Sequence, residues 1–215
     1  MKKSFCIIGL GKFGFSLAQT LINEGNQVMV IDTDVEKINL LADSATNAVI
    51  GDATNEKVLR EAGITDYDCV AVCLSGNLND NVLITIMLKE MGIKKVVSRA
   101  HSESHRRVLE RIGADMVVLP EQDMGEKLGY MFSKDNVTEF IEFSGYKIVE
   151  MLVPKAWIGK TLMELDVRRK YGVNIIAIVS ADDPKPNVSP SPTRPFAEGD
   201  RISIIGSDKE VERLI

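Results

Sequence analysis

The sequence predicts an α/β protein, a doubly wound parallel sheet followed by a smaller α+β unit. Three observations carry that expectation. Short apolar, β-branched runs recur six times in the first 120 residues, segments of helical spacing separate them, and the pattern changes near Gly145. Strands buried on both faces read as continuous apolar runs, and an amphipathic helix between two of them forces the pair to run parallel.

In order, the runs are "SFCIIG", "QVMVID", "NAVIG", "CVAVCL", "KVVSRA" and "MVVLP". Phe13, Leu17 and Leu21 mark the first intervening helix; Val35, Ile38, Leu41 and Ala42 mark the second. Six runs joined in this way give one sheet with helices on both faces. Pro120 then opens "EQDMGEKLGYMFSKDN", a further helix with proline at or near its first turn. From "TEFIEFSGYKIVEMLVP" onward the strand-like segments are near neighbours, with a single helix candidate at "GKTLMELDVRRKYG". "NIIAIVS" and "RISIIG" flank the Pro-rich "DDPKPNVSPSPTRPFAEGD", a long hairpin-type loop with "EGD" as its closing turn. "SDKEVERLI" is a terminal helix. The expected domains are residues 1–138, including a crossover helix, and residues 145–215.

Bulk properties narrow the function. At 215 residues the chain buries a real core, and 45% hydrophobic with 27% charged residues is ordinary for a globular protein. A net charge of −5 argues against a surface that tracks phosphates, so no nucleic-acid partner is expected. No apolar run approaches the roughly 20 residues that cross a bilayer. The run after "MKKS" breaks at a Gly-rich turn after about five residues, short of a signal-peptide core of about 7–15. The expected location is the cytoplasm. Cys6, Cys69 and Cys73 lie in apolar strand runs and read as buried, reduced thiols.

Gly9, Gly11 and Gly14 form G-x-G-x-x-G between a strand and a helix. The first glycine permits the turn, the second lets backbone approach a pyrophosphate, and the third lets helix and strand pack closely. The helix N-terminus adds free N–H groups and a positive dipole end. Asp32 ends the second strand, where a carboxylate accepts both hydroxyls of a ribose. Thr33 and Asp34 follow it rather than an arginine, which disfavours a 2′-phosphate and hence NADP. The motif implies adenosine plus phosphates without separating NAD from ADP or ATP, in a sheet that is Rossmann-like. Asp52, in "GDATN", either contacts the adenosine or caps the following helix. Lys12, inside the glycine loop beside Phe13, either faces a γ-phosphate or a neighbouring subunit's nucleotide, or is a solvated lysine. Arg99 ends the fifth strand on the edge where ligands collect. His101 and His105 are spaced i, i+4, yet nothing resembles H-E-x-x-H.

A dehydrogenase sets His, Lys or Tyr against its nicotinamide. Residues 145–215 hold no histidine, no cysteine and one tryptophan, Trp157, and the chain has no G-x-S-x-G elbow and no complete Walker A motif. The balance favours a nucleotide that is read rather than consumed. The apolar "LGYMF", Leu128 to Phe132, carries more apolar surface than one exposed helix should, and reads as a subunit-joining segment.

"GLGKFG" with Asp32, "GDAT" with Ala53, "IGADMVVLPEQDMG" running into a crossover helix, and "VRRKYGVNIIAI" with "SP…EGD" resemble the RCK family, regulators of K+ conductance of the Ktr/Trk type. The resemblance covers essentially the whole chain, as a single N-plus-C unit. It implies a small C-terminal RCK domain (TrkA-C-like) and a non-enzymatic regulatory subunit. The implied assembly is a homo-oligomer of dimers in an octameric ring on the inner face of the cell membrane. Its partner would be a membrane K+ transporter or channel subunit of the KtrB/TrkH kind. ATP or ADP would occupy the first unit at Gly9, Gly11, Lys12, Phe13, Gly14, Asp32, Asp52, Ala53 and Arg99, with NAD(H) as a further candidate. The family often has arginine where this chain has Lys12, and lysine lacks the bidentate fork. Glu121 would bind a divalent cation between paired subunits, or it complements the dipole of its helix. In the second unit, Arg168, Asn174 and Ile175, with Pro190 near the base, fall where some members bind cyclic di-AMP. Two other readings stay open: a small NAD-linked oxidoreductase or redox sensor, and an RCK-type regulator of another channel or cation antiporter.

Overall fold

The computed structural model describes residues 2–76 and 78–215, which form two compact units, Met1–Asp123 and Met124–Ile215. In the first, six parallel strands form one sheet: β1 (Ser4–Ile8), β2 (Gln27–Asp32), β3 (Asn47–Ile50), β4 (Cys69–Val72), β5 (Val96–Arg99) and β6 (Met116–Val118). Their order is β3-β2-β1-β4-β5-β6. The reversal between β1 and β4 opens a crevice at the carboxyl ends of the strands. The helices between strands are α1 (Lys12–Asn23), α2 (Val35–Leu41), α3 (Glu56–Glu61), α4 (Leu78–Glu90) and α5 (Glu103–Arg111). Alternation assigns each residue its face. Cys6, Ile8, Met29, Ile31, Val70 and Val72 join Ile84 and Leu88 of α4 on one side. Ile7, Val28, Val30 and Ala71 meet Ala18 of α1 and Ile38 and Leu41 of α2 on the other.

Helix α6 (Pro120–Phe132) follows β6, and the division between units falls inside it. The second unit is a five-stranded antiparallel sheet of order β10-β9-β11-β8-β7. Its strands are β7 (Val137–Phe143), β8 (Tyr146–Leu152), β9 (Asn174–Ser180), β10 (Asp183–Asn187) and β11 (Arg201–Ser207). The change of pattern near Gly145 is a hairpin tip. Ser144 (φ 49°) and Gly145 (φ 81°) both take the left-handed region that a two-residue turn between β7 and β8 requires.

The single helix expected from "GKTLMELDVRRKYG" is two short ones, α7 (Leu162–Leu165) and α8 (Val167–Tyr171). Asp166 between them has φ 46°, which a right-handed helix cannot continue, and Asp is among the few residues that tolerate it. Thr161 with Glu164, and Ser207 with Glu210, form capping boxes that start α7 and the last helix, α9 (Asp208–Glu212). On α6, Tyr130 and Met131 pack on the second unit's core, whereas Met124 (53%), Leu128 (38%) and Phe132 (81%) stay exposed at i, i+4, i+8. Among the described residues, no helix is long and apolar enough to cross a membrane.

The Pro-rich loop is strapped down by a partly buried ion pair. Asp200, fully buried, accepts from Arg194 Nη1 at 2.7 Å and Nη2 at 3.2 Å, and from the backbone N–H of Ala197 and Ala181. Burial pushes the carboxyl up, but these donors outweigh it and hold it below the ordinary range. A carboxyl depressed in the folded state contributes stability above its unfolded value near about 3.9 and loses it as pH falls through the folded value. Asp200→Asn is expected to destabilise the second unit by about 2 kcal/mol at pH 7, with the deficit narrowing below about pH 4. Calorimetric unfolding at both pH values checks this.

Candidate functional site

Three glycines at the β1–α1 turn have three different reasons. Gly9 has φ 91°, and a Cβ there would lie 2.7 Å from Leu74 Cδ2. At Gly14 a Cβ would lie 2.0 Å from the Gly9 carbonyl oxygen and 2.9 Å from Cys73 Cβ. Gly11 is unlike both. Its φ is −66°, and a Cβ would meet only Ser75 Oγ at 3.8 Å. Neither its backbone nor packing among the described residues calls for glycine, so it keeps clear the space over the start of α1. No side chain caps α1 there, which leaves first-turn N–H groups for an anion.

Asp32 fixes the loop. Its Oδ2 accepts from Leu10 N at 2.5 Å and its Oδ1 from Asp34 N at 2.9 Å. Each oxygen keeps acceptor capacity for one more donor, enough for a vicinal diol.

Three cavities follow one another along this edge. The first, about 240 Å³, is lined by Asp52, Ala53, Thr54 and Asp32. The second, about 250 Å³, lies against Gly9, Gly11, Asp32 and Ser75. The third, about 750 Å³, is walled by Gly11, Lys12, Phe13, Arg99 and Glu121. Neighbouring cavities share walls: Asp32, Leu74 and Asp80 border the first and second, and Gly11, Lys37 and Ser75 the second and third. The structure thus brings Gly9, Gly11, Lys12, Phe13, Asp32, Asp52, Ala53, Arg99 and Glu121 into one series, with Gly14 packed beneath it.

Asp52 does not cap α3. Asn55 does, accepting from Lys57 N at 3.0 Å, while Asp52 Oδ1 accepts from Thr54 N (2.9 Å) and Thr54 Oγ1 (2.7 Å). Those bonds hold the exposed Asp52 carboxyl below its usual range. Arg99, only 8% exposed at its side chain, donates to Glu121 Oε1. Among the described residues no three His, Cys, Asp or Glu gather as a metal site. Within the chain, Glu121 is already paired with Arg99. His105 Nδ1 accepts from His101 N, and neither ring lines the three cavities. Cys73 borders the second cavity, but burial pushes its thiol up to about 12, far from a thiolate nucleophile.

Two residues escaped the sequence reading. Asn81, fully buried, donates to the carbonyls of Leu74 (3.3 Å) and Arg99 (3.2 Å), tying β4 to β5 beyond their ladder. A polar residue at the start of the apolar run "NVLITIMLKE" was its only signal. Lys37 stands five residues past Asp32 and one helical turn past Asp34, a spacing that becomes informative only when α2 is known to face the crevice.

In the second unit, Arg168, Asn174 and Ile175 line one cavity of about 240 Å³ with Leu162 and Asp166. Pro190 does not line it.

The TrkA-N domain family matches residues 5–120 and the TrkA-C domain family residues 148–215. The chain belongs to the RCK family of Ktr/Trk type. The Ktr system potassium uptake protein C of Bacillus subtilis is 39% identical over 215 residues, covering 100% of this chain and 96% of that protein. Protein A of the same system and organism is 39% identical over 213 residues, 99% of this chain and 95% of its own. Among solved structures, the GsuK channel bound to NAD superposes with a TM-score of 0.56 at 26% identity; the match covers 99% of this chain and 38% of the channel chain. RCK membership accounts for both the parallel sheet and the antiparallel one.

The glycines separate in mutagenesis. Gly14→Ala should destabilise the first unit by about 2–3 kcal/mol, because backbone lies in the way of its Cβ. Gly11→Ala should leave unfolding within about 0.5 kcal/mol of the parent protein. Denaturant titration of both variants checks the contrast.

Proposed function

We propose that this chain is a cytosolic, non-enzymatic regulatory subunit of a potassium-uptake system, reading ATP and ADP in the cavities of its first unit. The observation that carries the reading is Gly11, whose side-chain space no other described residue occupies, at the start of α1 where phosphates would lie. Ala53 and Asp52 then border the base, Asp32 takes the ribose hydroxyls, and Lys12 and Arg99 stand at the phosphate end. Likeness to Ktr system potassium uptake proteins over 95–96% of their length supports a potassium-uptake system. The partner is a membrane K+ transporter or channel subunit, with this chain peripheral to the inner face of the membrane.

The exposed stripe of Met124, Leu128 and Phe132 suits a second copy of the chain, and dimers built on it would assemble into a ring, an octamer in our reading. A divalent cation would then need ligands from paired subunits at Glu121, and Lys12, at the phosphate end of its own cleft, would in the ring also approach a nucleotide held by its neighbour. The second unit would take cyclic di-AMP, since a two-fold pair presents Arg168, Asn174 and Ile175 twice to a two-fold ligand. Pro190 would cover the base from outside the cavity it does not line. NAD(H) is the second reading for the first unit, favoured by the apolar walls of the 750 Å³ cleft, Leu10, Phe13 and Phe15, and by the NAD-bound GsuK channel.

Calorimetry with ATP, ADP and NADH tests this directly. Saturable ATP and ADP binding without turnover is expected, weakened at least about tenfold by Asp32→Ala and by Gly11→Ala. NADH binding with hydride transfer to an acceptor would replace the regulator by an oxidoreductase. For the second unit, Arg168→Ala should abolish cyclic di-AMP binding and leave ATP affinity within about twofold; unchanged cyclic di-AMP binding would remove Arg168 from the site. Co-purification with a membrane potassium transporter tests the partner.

A further inference from the structure

Lys37 belongs to none of the motifs above, yet it lines two of the three cavities. With Gly11 and Ser75 it stands where the second cavity opens into the third. A ligand lying with its base at Ala53 and its ribose at Asp32 passes its first phosphate over Gly11. A second phosphate then reaches the junction between Gly11, Lys37 and Ser75, and a third enters the cleft of Lys12 and Arg99. We infer that Lys37 is a specificity-determining residue that recognises the second phosphate of a nucleotide and so separates di- and triphosphates from monophosphates.

Three features support that assignment. Lys37 Nζ is paired with Asp34 Oδ2 at 3.2 Å, a half-exposed i,i+3 contact of the kind that contributes little and exchanges easily. A phosphate arriving at the junction offers the ammonium an anionic acceptor, with one charge when bridging as in ATP and about two when terminal as in ADP, so the side chain changes partner with little cost. Asp34 also caps α2, accepting from Glu36 N at 3.0 Å through its other oxygen. Helix α2 therefore keeps its place whichever partner Lys37 takes. Asp32 and Asp80, the other charged groups bordering the second cavity, are anionic and would repel a phosphate. Lys37 supplies the cation where that cavity opens toward the cleft.

The inference rests on the nucleotide reading of the first unit, and calorimetry on the full chain distinguishes the two. AMP, ADP and ATP are titrated into the parent protein, Lys37→Gln, Lys37→Arg, Asp34→Asn and the Asp34→Asn/Lys37→Gln pair. Asparagine preserves the helix cap at position 34 while removing the competing charge. Lys37→Gln is expected to weaken ADP and ATP at least about fivefold and AMP less than about twofold, with Lys37→Arg close to the parent. Asp34→Asn is expected to tighten ADP about two- to fivefold when Lys37 is present and to lose that gain in the double variant. Equal losses for all three nucleotides in Lys37→Gln would overturn the inference, reducing Lys37 to a general source of potential. An Asp34→Asn gain that persists without Lys37 would overturn it as well. If the parent protein binds none of the three, the nucleotide reading itself fails, a result distinct from either of these.

Discussion

The carbonyl oxygen of Gly9 lies 2.0 Å from where a side chain on residue 14 would begin, and the carboxyl edge of the first sheet is organised around that approach. Because α1 comes so close, its first turn opens directly over the reversal between β1 and β4. Leu74 closes the turn from the other side, within 2.7 Å of where a Cβ on Gly9 would sit. Asp32 then ties the loop to β2 through Leu10 N and Asp34 N. A carboxylate held by two backbone donors has little freedom left to lose, which favours tight recognition of a diol.

Charge is distributed against the trend of the whole chain. The protein is acidic overall, yet Lys12, Lys37 and Arg99 converge on one cleft while Asp32 and Asp80 border the cavity before it. In the proposed reading that gradient would orient a nucleotide, hydroxyls toward the carboxylates and phosphates toward the cations. Arg99 is itself held by Glu121 at the start of α6, so the residues closing the cleft come from both β5 and the helix that enters the second unit.

Much of this was legible in the sequence because parallel strands buried on both faces leave an unmistakable apolar signature. The six runs, the glycine spacing and Asp32 needed only local pattern. What was not legible has physical reasons. Runs such as "NAVIG" and "MVVLP" read like the central strands, but β3 and β6 are edges, where Ile50 and Met116 stay exposed. The break at Asp166 depends on one backbone angle, and β10 lies inside a Pro-rich stretch that no propensity would assign to a strand. Asn81 and Lys37 owe their roles to which wall a helix presents to the crevice, a tertiary fact. Conversely, the cap that Asp52 could have made belongs to Asn55, three residues on, a choice between two good capping side chains that sequence alone leaves open.

Trp157 gives the molecule an unplanned optical property. It is the sole tryptophan, buried in the second unit with its ring centroid 5.5 Å from Tyr171 and 5.9 Å from Phe196. Its emission therefore originates wholly outside the unit that carries the glycine loop. A change in that emission on adding a nucleotide would be a signature of transmission between the two units, without any label introduced.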